Sequence, residues 1–104
     1  MTAKTSVTES KWPFDRKRLI DVCRQHDVTK VALFGSMVRG EETAESDIDL
    51  LVEFSQRKSL LALVRLEREL AQALGRKVDV LTEAALSPYL RPQILQEMRI
   101  IYEA

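Results

Sequence analysis

The chain has 104 residues, a length that allows one hydrophobic core and leaves no room for a second independent domain. Hydrophobic residues make up 45% and charged residues 31%, a balance typical of a folded globular protein. The 16 basic residues match the 16 acidic ones, and this zero net charge disfavours bulk binding of nucleic acid.

Cysteine use and hydropathy predict a location. Cys23 is the only cysteine, which excludes an intrachain disulfide and a multi-thiolate zinc site and favours the reducing cytoplasm. The sequence shows no apolar run typical of a signal peptide and no stretch of the roughly 20 apolar residues that span a bilayer, so we expect no membrane insertion. Residues 1–12 are polar, and we expect a flexible N-terminal leader there and a folded domain at residues 13–104.

The first half of the domain contains one predicted helix and one predicted strand. Apolar residues at near-helical spacing predict a helix over residues 14–26, with Pro13 suited to its first turn. Residues 31–34 are β-branched, aliphatic and aromatic and end at Gly35, which predicts a buried strand followed by a sharp turn. Residues 36–40 are expected to form a short helical turn and residues 41–46 a loop.

The second half alternates strands and helices. Residues 47–54 and 77–82 predict two more strands, and the helix between them is expected to start after Ser59 and to end at Gly75. A last helix is expected to open at Ser87 and Pro88. The predicted fold is therefore α/β (α+β), a small mixed sheet of three or more strands covered by helices. The predicted apolar positions are Leu60, Leu63, Val64, Leu66, Leu70 and Leu74 on the middle helix and Leu90, Ile94, Leu95, Met98 and Ile101 on the last.

Three aspartates are the candidate metal ligands. Asp47 and Asp49 lie one residue apart in a predicted strand, so their side chains share a face at a spacing that suits divalent cations. The same pattern also occurs on solvent-facing strands, but here the pair lies among Ile48, Leu50 and Leu51, where like charges repel unless a cation neutralises them. Asp79 projects from the next predicted strand and joins them if the two strands are neighbours.

A candidate phosphate-binding turn lies between the first two strands. Gly35 and Ser36 expose backbone N–H groups and a hydroxyl to an anion, although such a pair also forms ordinary turns. Arg39 follows Ser36 by three residues, so on a helical turn it returns to the same side and could contact a polyphosphate, or could equally be a surface arginine. The turn is not a Walker A loop, because the Gly-Lys-Ser/Thr ending is absent.

The run GSMVRGEETAESDIDLLVEF, with Gly35-Ser36, a ten-residue spacer and then Asp47-Ile48-Asp49, resembles the signature of the DNA polymerase β-like nucleotidyltransferases. With Arg39-Gly40, the later VDVLT and the C-terminal ILQEMRIIYEA, residues 14–104 resemble the minimal nucleotidyltransferases (MNT proteins) of that superfamily. The resemblance implies that Gly35, Ser36 and, less directly, Arg39 hold the triphosphate of ATP. It also implies that two Mg²⁺ ions bind Asp47, Asp49 and Asp79, and that Asp79 helps to deprotonate the acceptor hydroxyl.

The resemblance also implies a partner. MNT proteins commonly act as antitoxins of HEPN-domain toxins, and one route is transfer of AMP from ATP onto a tyrosine of the toxin. Two alternatives stay open, namely an antitoxin that neutralises its partner by binding alone and a nucleotidyltransferase that acts on a small molecule. Tyr89, Ile100 and Tyr102 on the predicted last helix could form a docking surface, although packing on the sheet is the simpler interpretation.

Overall fold

A computed structural model describes residues 12–43 and 45–104. The predicted leader lies, apart from Trp12, outside the described residues. None of the helices within these two ranges is both long and apolar enough to cross a membrane. In chain order the elements are α1 (Arg16–Gln25), β1 (Val28–Phe34), α2 (Ser36–Arg39), β2 (Ile48–Phe54), α3 (Leu60–Leu74), β3 (Val78–Leu81), a 3₁₀ turn (Glu83–Ala85), α4 (Arg91–Glu97) and β4 (Arg99–Glu103).

The four strands form one mixed sheet in the order β3-β2-β1-β4. β1 runs antiparallel to both β2 and β4, whereas β2 and β3 run parallel. Parallel neighbours need a long crossover connection, and α3 provides it. The fold class predicted from the sequence is confirmed, with one strand more than the three that were assigned.

The ends of the helices follow local capping chemistry. The Asp15 side chain accepts a hydrogen bond from the Arg18 backbone at 3.1 Å, so α1 begins after Asp15 rather than at residue 14 as predicted. At the start of α3, Ser59 Oγ accepts from the Ala62 N–H at 3.2 Å, as predicted. Gly75 ends α3 in a left-handed conformation, with φ +70°.

The sheet is covered on both faces. On one face α1 and α3 pack their buried side chains, including Leu19, Leu66 and Leu70, against β-strand residues such as Leu50. On the other face Ile94 of α4 joins a smaller cluster with Ala32, Phe34, Leu51 and Leu86. Side chains alternate along a strand, so Asp49 and Leu51 of β2 lie on the α4 side. Asp49 therefore faces α4.

The predicted apolar stripe of α3 is only partly buried. Leu66 and Leu70 are fully buried, but Leu60 is 77% exposed and Val64 is 40% exposed. These two residues lie in the N-terminal part of the helix, which the described core covers only in part. Periodicity correctly predicted the helix, but it could not show how far along the helix the core extends.

The C-terminal helix was predicted too long. α4 ends at Glu97, Met98 adopts an extended conformation, and Arg99–Glu103 form β4 against the free edge of β1. The run Ile100, Ile101 and Tyr102 favours a strand, and β1 offers backbone groups that need partners. Ile101 is consequently buried in the sheet, and the proposed helical docking surface that included Ile100 and Tyr102 does not exist.

Candidate active site

The parallel pairing of β2 and β3 brings two of the three aspartates together. Asp49 of β2 lies directly opposite Asp79 of β3 in the strand register. Asp47 immediately precedes β2, and its carboxylate lies 3.7 Å from the Nζ of Lys77. Asp47 remains close enough to Asp49 to influence its ionisation. The condition for Asp79 to join the other acids, that its strand pairs with β2, is therefore met.

Crowding of these carboxyl groups changes the chemistry of Asp49. Burial, followed by the negative charges of Asp79 and Asp47, raises the pKa of the Asp49 carboxyl to about 6. A hydrogen bond between the Asp49 and Asp79 side chains acts in the same direction, and the positive charge of Arg39 opposes it. Asp49 is therefore a half-buried acid in an excess of negative charge, an environment that favours a bound cation.

Gly35 allows the turn after β1 to pass directly beside Asp49. Its backbone has φ +85° and ψ −154°, a region that is essentially restricted to glycine. A Cβ at this position would overlap Oδ2 of Asp49 and would lie 3.2 Å from its Cγ. The Gly35 N–H donates a hydrogen bond to Oε2 of Glu97 at 2.9 Å. Glycine is thus required at position 35 for two reasons: the backbone conformation there and the close approach of Asp49.

Arg39, at the end of α2, is held by two carboxylates. Its Nε donates to Glu41 at 3.1 Å, and its Nη1 lies 3.2 Å from each carboxylate oxygen of Glu97. These hydrogen bonds, that of Glu41 first, raise the pKa of the Arg39 guanidinium. Arg39 therefore carries a positive charge beside the acids, as a phosphate contact requires.

These groups line one cavity of about 380 Å³, a volume within the range of small-molecule sites. Asp47 and Ser36 are not among the lining residues; Ser36 begins α2, and its carbonyl accepts from the Glu41 N–H at 2.9 Å. Four of the six predicted site residues thus meet around a shared space. The cavity is lined by Gly35, Arg39, Asp49 and Asp79, by the further polar residues Glu67, Gln93 and Glu97, and by the apolar residues Phe34, Leu81, Leu90 and Ile94.

Sequence reasoning missed Glu67 and Glu97. Glu67 lies on α3, and its Oε2 accepts from the Val80 N–H at 2.7 Å, which ties the helix to β3. Glu97 is 62 residues beyond Gly35, the group that it binds. Glu67 lies on α3 and Glu97 lies in the C-terminal ILQEMRIIYEA, and in neither case does a spacing in the sequence link the residue to the site.

The carboxylate groups of the acids are suitable ligands for Mg²⁺, but their side chains are not arranged around one metal position. Across residues 12–43 and 45–104, no group of three or more His, Cys, Asp or Glu side chains is arranged to hold a metal ion. Carboxylate oxygens are nevertheless the ligands that Mg²⁺ prefers, and the pKa of Asp49 is raised first by burial and then by the negative charges of Asp79 and Asp47, which a cation would neutralise. The donor set therefore fits the metal.

Comparisons with known proteins show the family of the chain. Residues 16–101 match the family model described as Nucleotidyltransferase domain. The chain is 46% identical over 82 residues to a Methanocaldococcus jannaschii protein named "Putative protein adenylyltransferase MJ0435", a match that covers 79% of this chain and 88% of that protein. It is 38% identical over 71 residues to protein adenylyltransferase MntA of Thermococcus cleftensis, covering 68% of this chain and 72% of that one.

The fold agrees as well. A chain in the crystal structure of a toxin–antitoxin with AMP-PNP superimposes with a TM-score of 0.76 and 25% sequence identity, over 86% of this chain and 74% of that chain. The sheet order and these matches confirm the resemblance to the minimal nucleotidyltransferases. The chain therefore belongs to the nucleotidyltransferase-domain family, as a minimal nucleotidyltransferase enzyme of the DNA polymerase β-like superfamily.

Proposed function

We propose that this enzyme transfers AMP from ATP onto a tyrosine hydroxyl of a partner HEPN-domain toxin and acts as the antitoxin of that pair. The observation that carries the proposal is the cavity in which Gly35 and Arg39, two anion-binding groups, face Asp49 and Asp79. Support comes from the relative named protein adenylyltransferase MntA and from the similar toxin–antitoxin structure with AMP-PNP. We place the catalytic unit at residues 13–104, with the leader outside it.

The reaction assigns a role to each group. The Gly35 N–H and the Arg39 guanidinium bind phosphate oxygens of ATP, with Ser36 beside them at the start of α2. Asp47, Asp49 and Asp79 would hold two Mg²⁺ ions, which when bound supply charge neutralisation of the triphosphate and of the leaving pyrophosphate. Asp79 accepts the proton of the acceptor hydroxyl.

The bond changes are those of an in-line displacement. The tyrosine oxygen forms a bond to the α-phosphorus, the bond from that phosphorus to the bridging oxygen breaks, and pyrophosphate leaves. The pairing of β2 with β3 fixes Asp49 opposite Asp79 before the nucleotide arrives, and such preorganised charges lower a reaction barrier. The apolar wall that includes Leu81, Leu90 and Ile94 offers contact area for the adenosine part of ATP.

The acceptor is expected to come from another protein. The described residues form a single sheet with its covering helices, and no second domain within them could bind an acceptor. The cavity is therefore open for a side chain presented by a partner. A tyrosine is long enough to bring its hydroxyl into such a site while the two backbones remain apart.

The test combines the enzyme with any HEPN-domain protein encoded beside it, labelled ATP and Mg²⁺, followed by peptide mass spectrometry and a ribonuclease assay of the HEPN protein. We expect AMP on a HEPN tyrosine and loss of ribonuclease activity. Asp79→Asn should abolish the transfer, whereas Asp21→Asn, the same change at an exposed position of α1, should not.

Two results would replace the proposal. If Asp79→Asn neutralises the ribonuclease as well as the unaltered enzyme does, neutralisation occurs by binding and the alternative of a non-catalytic antitoxin holds. If the HEPN protein is never modified but ATP is consumed with small hydroxyl compounds, the enzyme acts on a small molecule. Chelation of Mg²⁺ with EDTA should stop the reaction in either enzymatic case.

A further inference from the structure

A carboxylate of the chain itself engages the anion-binding groups of the cavity. Oε2 of Glu97 accepts from the Gly35 N–H at 2.9 Å, and both carboxylate oxygens lie 3.2 Å from Nη1 of Arg39. All three residues line the cavity that also holds Asp49 and Asp79. The donors expected to bind phosphate are therefore paired with an anion of the chain itself.

This pairing differs from an ordinary surface ion pair. The Glu97 side chain is only 16% exposed, whereas Glu41, the other carboxylate on Arg39, is 62% exposed. A largely buried carboxylate is costly unless it is well hydrogen-bonded, and Glu97 meets that requirement with the same two donors. Glu41 contacts neither Gly35 nor the cavity. Glu97 is thus the carboxylate whose position coincides with the phosphate-binding groups.

We infer that Glu97 sets the affinity for the nucleotide, because its carboxylate occupies the place of a triphosphate oxygen and is displaced when ATP binds. The inference rests on the proposed function, specifically on phosphate binding by Gly35 and Arg39. The Gly35 N–H is a single donor, so it cannot serve the Glu97 carboxylate and a phosphate oxygen at once. The negative charge of Glu97 also repels an incoming triphosphate.

The competition can be measured without catalysis. Inorganic tripolyphosphate is titrated calorimetrically into the full chain, in buffer with EDTA and then with Mg²⁺, and compared with Glu97→Gln. The neutral amide competes less well for Arg39, so we expect the Kd to fall about tenfold. Glu41→Gln removes the same charge from the other partner of Arg39 and should change the Kd by no more than about twofold, as for exposed pairs.

Two further measurements guard against a folding artefact. Glu97→Asp keeps the charge but shortens the side chain, and it should also tighten tripolyphosphate binding. In the unaltered protein, saturating tripolyphosphate should shift the NMR signals of both the Gly35 amide and the Glu97 carboxyl carbon. The inference is overturned if both variants bind equally or more weakly, or if the Glu97 signal does not move at saturation. Glu97 would then be a fixed support for Arg39.

These outcomes are separable from those of the proposed function. If the enzyme modifies its partner but neither Glu97 variant binds tripolyphosphate more tightly, only the competition fails. If binding tightens but no acceptor receives AMP, the anion site stands and the proposed transfer fails.

Discussion

Replacing Gly35 with alanine tests how closely the turn after β1 must approach the acids. The backbone there, at φ +85° and ψ −154°, costs a non-glycine residue about 1–3 kcal/mol. The new Cβ would also overlap Oδ2 of Asp49 and force that carboxyl out of its rotamer, at about 0.5–1.5 kcal/mol more. We expect Gly35→Ala to lower the free energy of unfolding by about 2–4 kcal/mol in urea denaturation and to abolish nucleotide transfer.

Two controls separate backbone strain from the overlap. Gly75 has φ +70° with no heavy atom within 4 Å of an added Cβ, so Gly75→Ala should cost only the left-handed conformation, about 1–2 kcal/mol. Introducing Gly35→Ala into an Asp49→Ala background removes the overlapping oxygen and leaves the Asp49 Cβ at 3.4 Å, an ordinary contact. The double-mutant cycle should then show a coupling of about 1 kcal/mol. Equal costs for the two glycine variants, together with zero coupling, would refute the reasoning.

Two further predictions concern stability. Asp49→Asn should stabilise the metal-free protein: the folded-state pKa of about 6 lies above the ordinary 3.8, so ionisation progressively destabilises the fold between pH 3.8 and 6 and fully above pH 6. After discounting for partial exposure, we expect the free energy of unfolding to rise by on the order of 1 kcal/mol at pH 7.5 and this gain to disappear below pH 3.8. Thermal unfolding in EDTA measures it, and equal stability of the two proteins at pH 7.5 would contradict the prediction. Leu70→Ala, at a fully buried position, should cost about 2–5 kcal/mol in urea, whereas Leu60→Ala, at a position that is 77% exposed, should change stability by less than about 0.5 kcal/mol. Similar losses at the two positions would show that Leu60 is covered in solution.

Some features of the site follow from local sequence. Residues 47–49 place two acids one residue apart in an extended segment, and the same segment alternates apolar side chains that bury the strand. α3 begins after Ser59 and ends at Gly75 because capping bonds involve neighbours in the chain. Signals of this kind need no knowledge of the rest of the fold.

Other features could not be predicted in the same way. The last segment contains apolar residues that fit a helical period and, at Ile100 to Tyr102, a strand as well. The free edge of β1 decided between them by pairing with Arg99–Glu103. The exposure of Leu60 likewise depends on where the neighbouring helices and strands end. The apolar periodicity of a single helix carries no information about those positions.

The sequence by itself determined the strand that carries Asp49 and begins directly after Asp47, the glycine turn that precedes it and the main crossover helix, because each depends on residues close in the chain. The tertiary structure decided that Asp79 lies opposite Asp49, because that position depends on which strands pair and in which register. It also brought Glu97 onto Gly35 and Arg39, across 62 and 58 residues of chain. The charge balance of the site arises from these long-range contacts, since electrostatic interactions depend on distance in space and not on separation in sequence.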